Sequence, residues 1–233
     1  MTDLAAFFHP ASIAVIGASE SAGKLGHEIL KNLLDGGFPG ALYPINPKSE
    51  RILGLTCSKN IKDVPDNVEL AVIIIPARFV PQAIQDCGEK GVKAAIIISG
   101  GFSEAGDEGE QLQQQAAEVA KQWGVRLIGP NCQGVNNPYH PSCASWPLLT
   151  RQGHVAVLSQ SGTVGAAMMD WFSFEELGVS SFVSLGNRAD VDEIDLIEYF
   201  EKDPNTKVIA AYLEGVKDPD RFRVQILYTQ IDR

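Results

Sequence analysis

Two short runs of this sequence combine glycine, serine and an incipient helix in a way that suits phosphate chemistry. The first is Ser12-Ile13-Ala14-Val15-Ile16-Gly17-Ala18-Ser19-Glu20-Ser21-Ala22-Gly23-Lys24-Leu25-Gly26, which reads as a buried strand, a glycine loop and a helix start. A helix start leaves backbone N–H groups free and carries partial positive charge, and glycines let an anion come close to them. The next apolar segment, Ala41 to Ile45, ends in Asn46-Pro47-Lys48 and supplies no carboxylate. In nicotinamide enzymes an acidic residue at that place holds the ribose hydroxyls; Lys48 would instead attract a phosphorylated ribose.

The second run is Ser159-Gln160-Ser161-Gly162. Its backbone amides and two hydroxyls could hold a phosphate or phosphoryl group, or the serine could simply cap a helix, and the residues alone leave both open. Glu214 ends a strand on the same presumed edge, where it either meets a reacting cation or stays solvated. Position alone favours solvation.

Cys57, Cys87, Cys132 and Cys143 form no CxxC pair, so neither a zinc site nor a redox pair is expected, and no metal. Cys132, after Gly129-Pro130-Asn131 at a strand end, is the one thiol placed where it could line a cleft, but no histidine stands near it in sequence to activate it, and the structural reading is preferred. His9, His27, His140 and His154 are each read as structural or solvated.

Positioning these residues requires strands that end where the turns begin. Ile13 to Gly17, Ala41 to Ile45, Leu70 to Ile75, Ala94 to Ser99 and Arg126 to Gly129 are apolar runs of strand length. Helices fill the gaps: Gly26 to Asp35 carries Ile29, Leu30, Leu33 and Leu34 on one face and stops at Gly36-Gly37, and Glu108 to Trp123 ends at Gly124. Strands without polar alternation need cover on both faces, which calls for a doubly wound parallel sheet with ligands at the carboxyl ends of its strands. Asn136 to Trp146 reads as a loop and a domain junction. After it, Val155 to Leu158 is a strand, Thr163 to Phe172 a helix packed through Val164, Met168 and Trp171, Phe182 to Leu185 a strand ending at Gly186-Asn187, Glu193 to Lys202 a helix, and Val208 to Leu213 a strand. The expected fold is α/β: a Rossmann-like domain over residues 1–130, then a smaller flavodoxin-like α/β domain over residues 145–233.

With 233 residues and a formal net charge of −10, the chain can bury proper cores but presents an acidic average surface. That argues against nucleic acid or an anionic membrane as a general partner. No apolar run approaches spanning length, and Met1 to His9 lacks the features of a secretory signal, so a cytoplasmic protein is expected.

The ordered motifs resemble a known family. Pro10-Ala11-Ser12-Ile13-Ala14-Val15-Ile16-Gly17-Ala18-Ser19, Tyr43-Pro44-Ile45-Asn46-Pro47-Lys48, Ile75-Pro76-Ala77, Gly100-Gly101-Phe102-Ser103-Glu104, Ile128-Gly129-Pro130-Asn131, Ser159-Gln160-Ser161-Gly162 and Tyr212-Leu213-Glu214-Gly215 occur in succession over residues 4 to about 222. Each is weak alone; the series is similar to the CoA-binding half of the NDP-forming acyl-CoA synthetases, the ADP-forming acetyl-CoA synthetase group, and more distantly to the succinyl-CoA synthetase α subunit. The resemblance implies coenzyme A as cofactor, with Gly17, Ser19 and Lys24 near its phosphates, Lys48 near its phosphorylated ribose, and Pro76 and Ala77 near the adenine. It implies a phosphate site lined by Ser159, Ser161, Gly162, Asn131 and Asn187, and Glu214 as the acid that orients a phosphohistidine. The implied reaction interconverts acyl-CoA, phosphate and nucleoside diphosphate with acid, CoA and nucleoside triphosphate, through an acyl phosphate whose phosphoryl group moves to histidine.

The family's phosphorylated histidine lies beyond the position of Glu214, and none of the four histidines here fits it. Arg223 to Arg233 does not resemble the family, so a truncated second domain is expected, with a nucleotide-grasp domain or subunit as an outside partner and an exposed surface that permits oligomers. Two other readings compete. One is a non-catalytic CoA- or acyl-CoA-binding regulatory module of a protein lysine acetyltransferase. The other is an NADP-dependent reductase, which the missing GxGxxG spacing opposes.

Overall fold

The computed structural model describes residues 4–146 and 150–231. A short helix α1 (Ala5–Phe8) precedes β1 (Ser12–Ile16), α2 (Leu25–Asp35), β2 (Ala41–Ile45), a small hairpin of β3 (Arg51–Ile52) and β4 (Leu55–Thr56), β5 (Leu70–Ile73), α3 (Val80–Lys90), β6 (Ala94–Ile97), α4 (Asp107–Trp123) and β7 (Arg126–Ile128). The larger strands form a five-stranded parallel sheet in the order β2-β1-β5-β6-β7. β1, β5 and β6 are buried along their whole length, as strands covered by helices on both faces must be. The order reverses beside β1, where a parallel sheet opens a crevice for a ligand at its carboxyl edge.

Next come β8 (Gly134–Asn137), β9 (Ser142–Ser145), β10 (Gln152–Ser159), α5 (Gly162–Phe174), β11 (Val179–Ser184), α6 (Glu193–Phe200), β12 (Val208–Tyr212) and α7 (Pro219–Ile231). They build a second sheet, ordered β12-β10-β11-β8-β9, in which β12, β10 and β11 run parallel and β8–β9 is an antiparallel hairpin.

Two expectations need correction. The stretch Asn136 to Trp146 is not simply a loop: it holds the end of β8 and all of β9, which extend the second sheet. Its polar residues hid this, because Asn136 and Asn137 are buried and Asn137 Nδ2 is satisfied by the Phe8 carbonyl at 2.8 Å. In α5 the buried face is Gly165, Met169 and Phe172, one residue out of phase with Val164, Met168 and Trp171, and Trp171 is 54% exposed. Gly165 sets that phase: a Cβ there would come within 3.1 Å of Phe182 and Ser159, so the helix sits down on the sheet where it has no side chain.

One apolar core runs through both sheets, joining Phe7, Phe8, Ile13, Leu30 and Ile128 to Val135, Leu158, Val183 and Phe200. Phe8 stacks on Tyr199 with centroids 4.4 Å apart and meets Phe200 edge-on at 5.2 Å. Polar contacts fasten the same junction. Arg126 forks onto Asp190 (Nε–Oδ2 2.8 Å, Nη2–Oδ1 3.1 Å), and Asp190 also accepts the Leu127 amide at 2.8 Å. The backbone of residues 187–191 then runs along the end of β7, with Asn187 N to Pro130 O, Ala189 N to Gly129 O and Val191 N to Leu127 O at 2.9, 2.9 and 3.1 Å. Among the described residues no helix is long and apolar enough to cross a membrane.

Candidate functional site

Gly17 follows β1 with φ of 95°, a conformation that favours glycine, and a Cβ on it would stand 2.2 Å from the Ile74 carbonyl. Gly26, in the first turn of α2, presses on Gly17 in turn: a Cβ there would lie 2.1 Å from the Gly17 carbonyl. The two glycines bring the loop tightly over the helix start, whose first amides have no carbonyl of their own helix to bond. Ser19 accepts the Ser21 amide at 3.1 Å through Oγ, and its carbonyl lies 3.0 Å from His27 Nδ1, which makes that nitrogen the donor. Glu28 takes the Gly23 amide at 2.7 Å, so this loop amide is already engaged by the protein. Lys24 is the N-cap residue of α2 and is exposed.

Asn46, at the end of β2, donates to the Ala18 carbonyl at 2.7 Å and accepts the Lys48 amide at 2.8 Å, which puts exposed Lys48 at the rim of the glycine loop. Pro76 caps a single 3-10 turn, Ala77–Phe79, after β5. A Cβ on Gly101 would lie 3.3 Å from the Ala77 Cβ, so the Gly100–Gly101 loop after β6 borders the Pro76–Ala77 position. Loop, lysine and Pro76–Ala77 thus occupy the carboxyl edges of neighbouring strands.

The second group is assembled by the junction. Asn131 follows β7 with φ of 56°, and its Nδ2 lies 3.4 Å from Asn187 Oδ1. Asn187 Nδ2 donates to Glu104 at 2.5 Å and to Gln113 at 2.9 Å. Glu104 also accepts the Gly101 and Phe102 amides at 2.5 and 3.1 Å. Partial burial pushes the Glu104 carboxyl upward, but the Asn187 and backbone donors outweigh it and hold the group below the ordinary glutamate range.

At the serine turn, Ser161 Oγ accepts the Val164 amide at 3.3 Å and so caps α5. Ser159 is fully buried and donates to the Ser161 carbonyl at 2.6 Å. Capping is thus realised, and it leaves the amides that open the helix at Gly162 and Thr163 directed toward the carboxyl edge of β10. Gln133 packs against this turn, 3.1 Å from where a Gly162 Cβ would be, and its Oε1 is buried with no hydrogen-bond partner among the described residues. Glu214 is exposed just past β12, its amide accepted by Gln160 Oε1 at 2.7 Å.

The structure therefore brings Asn131 to Asn187, and ties the serine turn to the backbone of Glu214 through Gln160. Sequence reasoning gave no site role to Glu104, Gln113, Gln133 or Gln160. Only the place of Glu104 and Gln160 inside ordered motifs marked them, and Gln113 and Gln133 carried no local signal. Cys132 is 5% exposed and donates to the Ile97 carbonyl, and burial pushes its thiol up to about 12, so it is not a reactive group. His27, His140 and His154 each hold a backbone carbonyl, as structural histidines do.

Together these features define a class: a Rossmann-like parallel sheet whose glycine loop closes over a helix start, joined to a flavodoxin-like sheet with a second, serine-lined helix start. Residues 11–138 match the CoA binding domain family and residues 152–227 match the succinyl-CoA ligase like flavodoxin domain. The chain belongs to the CoA binding domain family, in the two-domain form of the NDP-forming acyl-CoA synthetases that its motifs resemble. The flavodoxin match runs into the stretch after residue 222 that read as divergent.

Among curated relatives, the α subunit of an ADP-forming acetate–CoA ligase I of Pyrococcus furiosus is 46% identical over 224 residues, covering 94% of this chain and 48% of the relative. An ADP-forming 4-hydroxybutyrate–CoA ligase of Nitrosopumilus maritimus is 37% identical over 225 residues, covering 95% and 32%. A solved acetyl-coenzyme A synthetase 1 of Ca. Korarchaeum cryptofilum, in complex with phosphate and ADP, superposes with a TM-score of 0.92 at 44% identity, covering 98% of this chain and 49% of that one. The chain thus spans about half, or less, of the length of these relatives. All three are named as ligases or synthetases, and the regulatory-module alternative finds no support among them.

Proposed function

We propose that this chain is the CoA-binding portion of an acid–thiol ligase that interconverts acyl-CoA, phosphate and ADP with acid, CoA and ATP. In this reading the amides after Gly17, with Ser19 and Lys24, hold the CoA diphosphate, Lys48 pairs with the phosphorylated ribose, and Pro76 and Ala77 flank the adenine. The thiol end then reaches the junction, where the amides that open α5 at Gly162 and Thr163 hold the phosphate that attacks the acyl carbonyl, in a site lined by Ser161, Asn131 and Asn187. Preorganised backbone amides suit such a site, because they stabilise the phosphate charge, while Asn187, already donating to Glu104 and Gln113, borders it. Glu214, exposed at the same rim, orients a histidine supplied by another segment, and a nucleotide-grasp domain or subunit supplies ADP.

The observation that carries the reading is the junction itself. Residues 187–191 lie along the end of β7, with Asn187 3.4 Å from Asn131, so the loop after β11 meets the loop after β7; that contact supports one site shared by the two sheets. Calorimetric titration of the chain with CoA, dephospho-CoA and NADP tests it. CoA should bind more tightly than dephospho-CoA, and NADP should give no heat; NADP binding in place of CoA would overturn the proposal. With acetyl-CoA, ADP and phosphate supplied, this chain alone should release no ATP.

A further inference from the structure

Gln160 stands between the two serines of the turn, and the phosphate chemistry proposed for them gives it no role. It is 7% exposed, and its backbone amide extends the pairing of β10 with β12 by bonding to the Tyr212 carbonyl at 3.1 Å. The side chain spends both ends of its carboxamide on the segment after β12. Oε1 accepts the amides of Glu214 and Gly215 at 2.7 and 3.2 Å, and Nε2 donates to the Gly215 carbonyl at 2.8 Å. Nε2 also lies 3.4 Å from Oε2 of Glu193, a carboxylate with no exposure at all.

Glu193 anchors the far side of this clamp. It pairs with Arg188 at 2.9 Å and accepts the Lys217 amide at 3.3 Å, while Arg188 Nη1 donates to the Gly215 carbonyl at 2.9 Å. Residues 214–217 belong to no helix or strand, so side chains from the serine turn, the 186–191 loop and α6 hold their backbone in place. Three hydrogen bonds from one buried carboxamide to two adjacent residues leave that backbone little freedom while Gln160 keeps its place.

We propose that Gln160 is a positioning residue that couples the serine turn to Glu214, so that a phosphoryl group on the amides opening α5 also orders the backbone carrying the Glu214 carboxylate. The proposal rests on the phosphate-site reading given under the proposed function. A purely structural Gln160 would hold residues 214 and 215 equally well with or without an anion at the turn, so the response to the anion separates the two roles.

The test is residue-resolved NMR of this chain with saturating inorganic phosphate against chloride at equal ionic strength. Phosphate should shift the amide resonances of Gly162 and Thr163 and slow hydrogen exchange at Glu214 and Gly215. Gln160→Met, of similar length but without the carboxamide, should speed exchange at Glu214 and Gly215 about tenfold and abolish their response to phosphate, while Gly162 and Thr163 still shift. The wild-type measurement stands by itself if Gln160→Met does not fold. Shifts at Gly162 and Thr163 with no change at Glu214 and Gly215 would overturn the coupling, as would a Gln160→Met chain that keeps the response. If phosphate leaves Gly162 and Thr163 unmoved, the phosphate-site reading fails and the coupling fails with it.

Discussion

Asn46 donates to the carbonyl of Ala18 at 2.7 Å, and the same side chain accepts the amide of Lys48 at 2.8 Å. One carboxamide thus ties the end of β2 to the glycine loop and holds the backbone of the lysine beside it. The Lys48 ammonium is free to meet a ligand phosphate because its main chain is already fixed, so little order has to be gained on binding. Lys48→Ala should weaken CoA about tenfold, the loss of one solvent-accessible charge-assisted contact, and leave dephospho-CoA unchanged. Titration calorimetry with both ligands reads the difference, and equal weakening would remove Lys48 from the ribose-phosphate role.

Gly26 offers a test in which two effects oppose each other. Alanine is favoured over glycine inside a helix by about 1 kcal/mol. Here, however, the new Cβ would lie 2.1 Å from the Gly17 carbonyl, against backbone that cannot step aside without moving the loop. The clash should win, so Gly26→Ala should lower stability by about 2 kcal/mol or more and weaken CoA binding as well. Urea melts and the CoA titration check this; a stabilised variant with intact binding would show that the loop is not packed on the helix as described.

Much of this arrangement was legible in the residues because the signals are local. Apolar runs without alternation marked β1, β5 and β6, and glycines at strand ends marked the turns. The place of Lys48, just past β2, was readable from the end of the apolar run Ala41 to Ile45. What stayed hidden depends on pairings distant in sequence. Asn136 and Asn137 look like loop residues until the Phe8 carbonyl, more than a hundred positions away, is seen to satisfy Asn137. Gly165 carries no apolar signal, yet its close approach to Phe182 and Ser159 sets the phase of α5. Gln113 and Asn187 are ordinary surface types in one dimension, and only the strand-like run of residues 187–191 along β7 brings them 2.9 Å apart.

The four thiols should separate cleanly in a labelling experiment. Cys87 and Cys132 are buried, and burial pushes both thiols up to about 12, while Cys143 is buried and raised as well. Cys57 is raised too, through partial burial, but it is the one of the four that retains access to solvent. Iodoacetamide at mildly alkaline pH should therefore modify Cys57 slowly in the native chain, and the other three only after unfolding. Peptide mass spectrometry gives the order. Rapid native labelling of Cys132 would reopen the idea of a reactive thiol at the end of β7.

Glu104, in the loop after β6, carries a test of acid stability. Burial alone would raise its pKa, but the hydrogen bonds from Asn187, Gly101 and Phe102 favour the ionised form and leave it below the ordinary value. A carboxyl lowered in the folded state stabilises the fold above its unfolded pKa, about 4.3 for glutamate, and that contribution is lost as pH falls through the lower folded value. Because the residue is exposed, solvent screening limits the contribution to about 1 kcal/mol or less. Glu104→Gln should therefore be less stable than the parent chain at neutral pH, and the gap should close as the solution is acidified below about pH 4. Urea midpoints measured across that range provide the comparison. A gap that stays constant with pH would mean that Glu104 acts there through its shape rather than its charge, and Asn187 would then owe its position to the residue 187–191 backbone instead.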